Sequence, residues 1–235
     1  MHAEAHFSPA VYDSAMTASL PPLVLTGVLL LVAYLLGSVS GSLVLGRMRG
    51  VDIRTLGSGN AGGTNALRTQ GWKFALGVAL IDVGKGVLAT WFAQRWAPLG
   101  APLSVTTHGY LAAGLAVVGH VWPLWHGFRG GKGAATLIGG LLVLWPWSIP
   151  LLLLVWGSVL VTTGYVGLST VLAVASLPVW AWWSGAGPNR IWFAIAAALF
   201  IAFTHRRNLQ RLRDGTESQF ARARLLHRLH GRDRH

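Results

Sequence analysis

Leu20-Pro-Pro-Leu-Val-Leu-Thr-Gly-Val-Leu-Leu-Leu-Val-Ala-Tyr-Leu-Leu-Gly-Ser-Val-Ser-Gly-Ser-Leu-Val-Leu45 carries no charged side chain. A helix needs roughly 20 apolar residues to cross a bilayer core, so this stretch is long enough to be a span. The segment before it holds Glu4 and Asp13 and no Lys or Arg, unlike the basic start of a secretory signal. Six further apolar stretches follow, at 74–93, 108–122, 134–147, 149–163, 168–183 and 191–204. The fourth and fifth spans are parted only around Pro146, between Trp145 and Pro150, which reads as a tight hairpin at the membrane interface. The pattern predicts an all-α, polytopic integral membrane protein with seven transmembrane helices. Composition agrees. Of the chain, 53% is hydrophobic and 11% charged, against about 25% charged in soluble domains. So few charges cannot cover a soluble surface, and so apolar a chain is not disordered. The 12 Trp and 30 Gly suit membrane helices and their interfaces. The absence of Cys excludes thiol nucleophiles, acyl-cysteine intermediates and thiolate metal sites.

The net charge of +12 would suggest nucleic acid if it were spread over a soluble domain. Here its distribution points elsewhere. Apart from Arg95, Arg190 and the intramembrane Lys85, all 19 Lys and Arg fall in the segments on one side of the predicted spans. That bias places those segments in the cytoplasm, puts the N-terminus outside and the C-terminus inside, and demands an odd number of spans. The excess charge then meets anionic headgroups, and no nucleic-acid partner is expected. The chain divides into an extracytoplasmic segment 1–19, a membrane domain 20–204 and a basic cytoplasmic tail 205–235. From Phe220 to Leu229 apolar and Arg residues alternate in the manner of a basic amphipathic helix lying on lipid. In the first span, Gly37 and Gly41 have the four-residue spacing that lets helices approach closely, or that leaves a groove for an acyl chain.

Three inner segments carry the polar chemistry. The first, Gly57-Ser-Gly-Asn-Ala-Gly-Gly-Thr-Asn-Ala-Leu-Arg68, sets four Gly, two Asn, Ser and Thr ahead of a lone Arg. Bare backbone N–H groups form anion-binding nests, and an Arg can fork onto a phosphate. An ordinary flexible loop carries Lys, Glu and Pro as well, so an anion site is favoured, with Gly57, Ser58, Gly59, Asn60, Thr64 and Asn65 as candidate binding residues and Arg68 as a clamp. The second, Gly119-His-Val-Trp-Pro-Leu-Trp-His-Gly-Phe-Arg-Gly-Gly-Lys-Gly133, ends at the predicted start of the fourth span. Its Gly130, Gly131, Lys132 and Gly133 form a candidate phosphate cradle at a helix N-terminus. It is not a Walker A loop, because His126 stands where that motif needs its first Gly and Gly133 where it needs Ser or Thr. The third, Thr204-His-Arg-Arg-Asn-Leu-Gln-Arg-Leu-Arg-Asp-Gly-Thr-Glu217, places His205 and Asn208 on one helical face. Asp82 and Lys85 also share a face, inside the second span, as a neutralising pair or as groups near a substrate.

Other chemistry is missing. There is no His-x4-Asp pattern, no Gly-x-Ser-x-Gly elbow and no metal-ligand spacing of His, Asp and Glu. No metal and no cofactor are expected.

Taken in order, Val51 to Arg68, Ile81-Asp-Val-Gly-Lys-Gly86, Gly119-His-Val-Trp-Pro with Phe128-Arg-Gly-Gly-Lys-Gly133, and His205-Arg-Arg-Asn208 with Gly215-Thr-Glu217 resemble the signatures of the bacterial acyl-phosphate:glycerol-3-phosphate acyltransferases, the Y-type (PlsY) membrane family. The resemblance covers about residues 34 to 217. It implies seven spans, a cytoplasm-facing site in the bacterial plasma membrane, and acyl transfer from acyl phosphate to the 1-hydroxyl of glycerol 3-phosphate, releasing lysophosphatidate and inorganic phosphate. It places Ser58, Arg68, Lys132, His205 and Asn208 at the reacting site, with Glu217 structural. The chain departs from the family pattern at Val39-Ser-Gly-Ser42, where Ile-Pro-Phe-Gly is usual, and at Gly164 and Gly167, where Arg and Ser are usual. The lipid bilayer and the two substrates are the expected partners, and a monomer is expected. The competing class is a small transporter of a phosphorylated anion, although no internal repeat of the transporter kind is evident.

Overall fold

The computed structural model describes residues 21–220. The expected N-terminal segment 1–19, and the expected amphipathic helix beyond Phe220, lie outside the described residues. Within them the chain is all-helical, with no strand. The helices are α1 (Pro22–Gly37), α2 (Gly41–Met48), α3 (Gly63–Gln70), α4 (Trp72–Arg95), α5 (Val105–Val121), α6 (Ala134–Leu144), α7 (Ser148–Thr163), α8 (Val166–Trp183), α9 (Pro188–Thr204) and α10 (Arg206–Arg213). Single 3-10 turns occupy Ile53–Thr55 and Leu124–His126.

Every predicted apolar stretch is helical, with one correction. The first is not continuous: α1 and α2 are separate helices bent by 48° at a short break. Gly37 lies against the backbone of Ala116 in α5, and Gly41 against that of Val78 in α4. A Cβ at either would collide, so these glycines serve close packing rather than an acyl groove. A break in apolar surroundings strands backbone groups that need partners. Lys85 Nζ donates to the carbonyls of Gly37 and Val39, at 2.7 and 2.6 Å. Gly41 N donates to Asp82 Oδ1 at 3.0 Å. The Asp82–Lys85 pair, 3.2 Å apart and buried, is therefore the clamp on the interrupted helix.

Helices α6 and α7 are parted by a turn at Trp145–Trp147, the hairpin anticipated from Pro146. By length and composition α4 and α8 each suffice to cross a membrane, and so does the bent α1–α2 pair taken together; α6, α7 and α9 are apolar but shorter. The main core lies among α5, α6, α8 and α9 around Tyr110, Leu137, Leu141, Leu177 and Ile201. A smaller cluster, Leu43, Ile53, Ala61, Ala66, Phe74 and Val78, fastens the first inner segment to α2 and α4.

Candidate active site

The first inner segment is folded around one side chain. Asn65, buried in α3, accepts from Ser58 N at 2.9 Å and donates to the carbonyls of Ile53 and Leu56, at 3.0 and 2.9 Å. Gly57, with φ +54°, sits so close to the Asn65 amide that a Cβ would strike it. The sequence marked Asn65 as a ligand group; its polar atoms instead hold the loop that presents Ser58. The Ser58 N–H is spent on Asn65 and the Gly59 N–H on the Leu56 carbonyl, so neither can complete the predicted nest. What remains open is the N-terminus of α3, whose first turn leaves unpaired N–H groups beside Gly62, Gly63 and Thr64.

The second segment is tied to the first through Arg54. Asp52 grips that guanidinium at 2.8 Å, and Arg54 Nη1 donates to the carbonyls of His126 and Arg129 at 3.0 and 3.3 Å. Hydrogen bonding from Arg54 holds the Asp52 carboxyl down at about 2. The expected Gly130–Gly133 cradle needs correcting at its start. Gly130 N donates to Val121 O and Gly131 N to His120 O, both at 3.1 Å. Their N–H groups are consumed in folding the loop back, and a Cβ at either would collide with His120. Where α6 starts, the N–H groups of Gly133 (φ +90°), Ala134 and Ala135 are left without a backbone partner.

The third segment enters where α9 ends. Thr204 Oγ1 lies 3.0 Å from both Lys132 O and Ile201 O and shares its one proton between them, which ties the two segments together. His205 Nδ1 lies 2.8 Å from the Ile201 carbonyl. A carbonyl only accepts, so Nδ1 carries the proton and Nε2 is left as an acceptor. Burial, with the Lys132 ammonium adding to it, pushes the His205 imidazole down to about 4. Lys132 Nζ donates to Asn208 Oδ1. Asn208 Nδ2 in turn donates to Glu217 Oε1 at 2.6 Å, and Arg211 Nε to Glu217 Oε2 at 2.7 Å. Burial lowers the Lys132 ammonium to about 8, Arg211 and Arg68 adding to the effect and Glu217 opposing it.

These segments converge on one cavity of about 760 Å³. Gly57, Ser58, Asn60, Thr64, Asn65, Arg68, Lys132, Gly133, His205 and Asn208 all line it, whereas Gly59, Gly130 and Gly131 do not. Sequence reasoning missed Arg211 as a lining cation, and also Gly62, Gly63, Ala134 and Ala135, although it placed the second cradle at the helix N-terminus that α6 provides. Asp82 and His120 reach the cavity as well, His120 Nδ1 standing 3.5 Å from Asp82 Oδ1. The far half is apolar and is built from α6, α7 and α8. Residues after α10 fold back beside the opening: Gln219 Nε2 donates to the Tyr165 hydroxyl at 2.9 Å and Phe220 N to Gly164 O at 2.8 Å. Gly167 leaves the space that Asn208 fills. The two glycines that depart from the family pattern thus receive the returning strap and the third segment.

Residues 27–215 match the glycerol-3-phosphate acyltransferase family. The chain belongs to that family. The glycerol-3-phosphate acyltransferase of Sinorhizobium fredii (strain NBRC 101917 / NGR234) is 40% identical over 188 residues, which span 79% of this chain and 88% of that one. The glycerol-3-phosphate acyltransferase of Parasynechococcus marenigrum (strain WH8102) is 41% identical over 212 residues, 89% of this chain and 96% of its own. The crystal structure of PlsY, an integral membrane glycerol 3-phosphate acyltransferase, in its glycerol 3-phosphate form, superposes with a TM-score of 0.76 at 32% identity, covering 83% of this chain and 95% of that one. Its lysophosphatidic acid form gives 0.74 at 31% identity. Like these membrane acyltransferases, the chain is all-helical over its described residues.

Proposed function

We propose that this chain is a seven-span enzyme of the bacterial plasma membrane that transfers a fatty acyl group from acyl phosphate to the 1-hydroxyl of sn-glycerol 3-phosphate. The products are lysophosphatidate and inorganic phosphate. The observation that carries this reading is the union, in one cavity, of a cationic polar half and an apolar half. Two phosphates require cations and N–H groups; one acyl chain requires the apolar arm. The lopsided Lys and Arg distribution supports an outside N-terminus, a membrane domain over 20–204 and a cytoplasmic site and tail.

Arg68, Lys132 and Arg211, with the N-terminal turns of α3 and α6, bind the two phosphates. Asn208 relays charge between Lys132 and Glu217 and fixes the ammonium in place. Ser58 donates toward the carbonyl oxygen as negative charge develops there. Among the described residues no His or carboxylate is hydrogen-bonded to Ser58, so it has no base to activate it as a nucleophile. His205 accepts from the glycerol hydroxyl through Nε2 and orients it. With its pKa near 4, it is a weak base at neutral pH. The hydroxyl oxygen bonds to the acyl carbon, the bond from that carbon to the phosphate oxygen breaks, and the departing phosphate, whose second pKa is about 6, takes the proton. The mixed anhydride supplies a good leaving group, so positioning and electrostatics account for the acceleration.

The transporter alternative loses its main support, because Asp82 and Lys85 close a helix break instead of lining a path across the membrane. The deciding experiment supplies palmitoyl phosphate and labelled glycerol 3-phosphate to detergent-solubilised protein. Stoichiometric lysophosphatidate and phosphate, with no comparable rate from palmitoyl-CoA, are expected. No turnover, or equal use of the thioester, would refute the assignment. For orientation, a single Cys at 187 should react from outside intact cells and one at 60 should not.

A further inference from the structure

The apolar arm of the cavity contains almost nothing polar. Beyond Gly167, which abuts Asn208, its wall is formed by Leu137, Ile138, Leu152, Leu153, Ala173 and Val174. Two side chains there carry a polar atom, Trp156 on α7 and Thr170 on α8, and each is committed. Trp156 Nε1 donates to Thr170 Oγ1 at 3.3 Å. Thr170 gives its own proton to the Val166 carbonyl at 2.9 Å. An indole has a single donor and a threonine hydroxyl a single proton, so the arm has no proton to offer a ligand. The one hydroxyl oxygen in it already accepts one of its two possible hydrogen bonds, from the indole. Thr170 lies three residues along α8 from Gly167, about 4.5 Å deeper at 1.5 Å per residue. That is a few bonds from the level at which Asn208 and Lys132 hold the reacting groups.

We propose that the Trp156–Thr170 pair is a specificity determinant that makes this arm select unsubstituted acyl chains over chains bearing a hydroxyl close to the carbonyl, β-hydroxyacyl groups above all. The inference rests on the reading of the arm as the acyl site. A β-hydroxyl entering here surrenders its water and finds no donor and only an oxygen already engaged by the indole. Adding a hydroxyl to a ligand of an apolar pocket changes kcat/KM by up to roughly a hundredfold. The indole has a second consequence, because its N–H takes one of the two acceptor positions on Thr170 and makes that oxygen a poorer partner for a second donor. Removing the indole N–H while keeping an aromatic ring should therefore free the Thr170 oxygen to accept from a β-hydroxyl.

The test offers solubilised full-length protein two donors, myristoyl phosphate and β-hydroxymyristoyl phosphate, with labelled glycerol 3-phosphate. The wild type is expected to favour the plain chain by about tenfold or more in kcat/KM. Trp156→Phe should cut that preference several-fold by raising use of the hydroxylated donor, with KM for glycerol 3-phosphate unchanged. Thr170→Val should keep the preference or enlarge it. A change in packing alone would move both donors together in either variant and leave their ratio fixed. Equal use of the two donors by the wild type overturns the proposal whether or not the variants fold. So does an unaltered ratio in a Trp156→Phe protein that turns over myristoyl phosphate. If the wild type uses neither acyl phosphate, it is the assignment of the donor that fails.

Discussion

Lys85 and Lys132 are both withdrawn from bulk water, and each is linked to one carboxylate. Lys85 meets Asp82 directly at 3.2 Å; Lys132 meets Glu217 through the side chain of Asn208. The difference lies in what remains. An ammonium has three protons to donate. Lys85 spends them on Asp82 and on the carbonyls of Gly37 and Val39, which closes the site to any ligand. Lys132 has one hydrogen bond among the described residues and stands in a cavity beside Arg68 and Arg211. A buried cation is expensive wherever it sits. Whether it is structural or functional follows from the donors it has left, not from its charge.

Replacing each lysine by an apolar isostere would break this comparison most directly. Lys85→Met leaves Asp82 buried without its cation and two carbonyls unpaired. It should cost about 3–5 kcal/mol, read as a large fall in the thermal midpoint in detergent. A variant as stable as the parent would remove the structural role. Lys132→Met strips a cavity of its cation but no fold contact of comparable weight. The thermal midpoint should hold, while kcat/KM falls by roughly 10²–10³.

The pH profile sharpens the same contrast. With its ammonium lowered to about 8, Lys132 is charged below that pH and loses its proton above it. The kcat/KM of the free enzyme should therefore decline as pH rises through about 8. Lys132→Arg, which stays charged, should flatten that limb even if it is slower throughout. A profile level to pH 9.5 or so in the wild type would show that the charge of Lys132 is not needed.

The smallest effect belongs to His205. At a pKa of about 4 it is neutral across the working range, so no acid limb near the ordinary imidazole pKa of about 6.5 should be assignable to it. His205→Gln can still donate to Ile201 and accept from the substrate. It should keep measurable turnover with a raised KM for glycerol 3-phosphate. His205→Ala should be worse by at least about tenfold in kcat/KM, or ~1.4 kcal/mol. Gln and Ala equally inactive, with glycerol phosphate still bound, would instead make His205 the base.

Much of this was legible in the sequence because membrane helices announce themselves by length and apolarity. The three polar segments stood out because they interrupt them. Ser58, Arg68, Lys132, His205 and Asn208 were all singled out, and all line the cavity. What the pattern could not supply was the destination of individual N–H groups. Gly130 and Gly131 look like cradle residues, yet their amides turn back to Val121 and His120. Asn65 looks like a ligand and is a brace. The break between α1 and α2 was hidden for a related reason. No Pro marks it, and its stability comes from Asp82 and Lys85, which lie 41 and 48 residues from the groups they hold. Trp156 and Thr170 were invisible as a pair, since nothing in either helix alone reveals what the other presents.

Glu217 joins Asn208 and Arg211, yet it lies far along the chain from Ser58 and Arg68. This separation sets an order of events during biosynthesis. At roughly 5–20 residues per second, Arg68 leaves the ribosome on the order of ten seconds before Glu217. A nascent chain that has completed its last apolar helix holds Arg68 and Lys132 but not yet Arg211, and once Arg211 follows it faces Lys132 with no carboxylate between them. The arrival of Glu217 settles that repulsion. Competence for turnover should therefore appear abruptly, late in translation, rather than growing with each helix inserted.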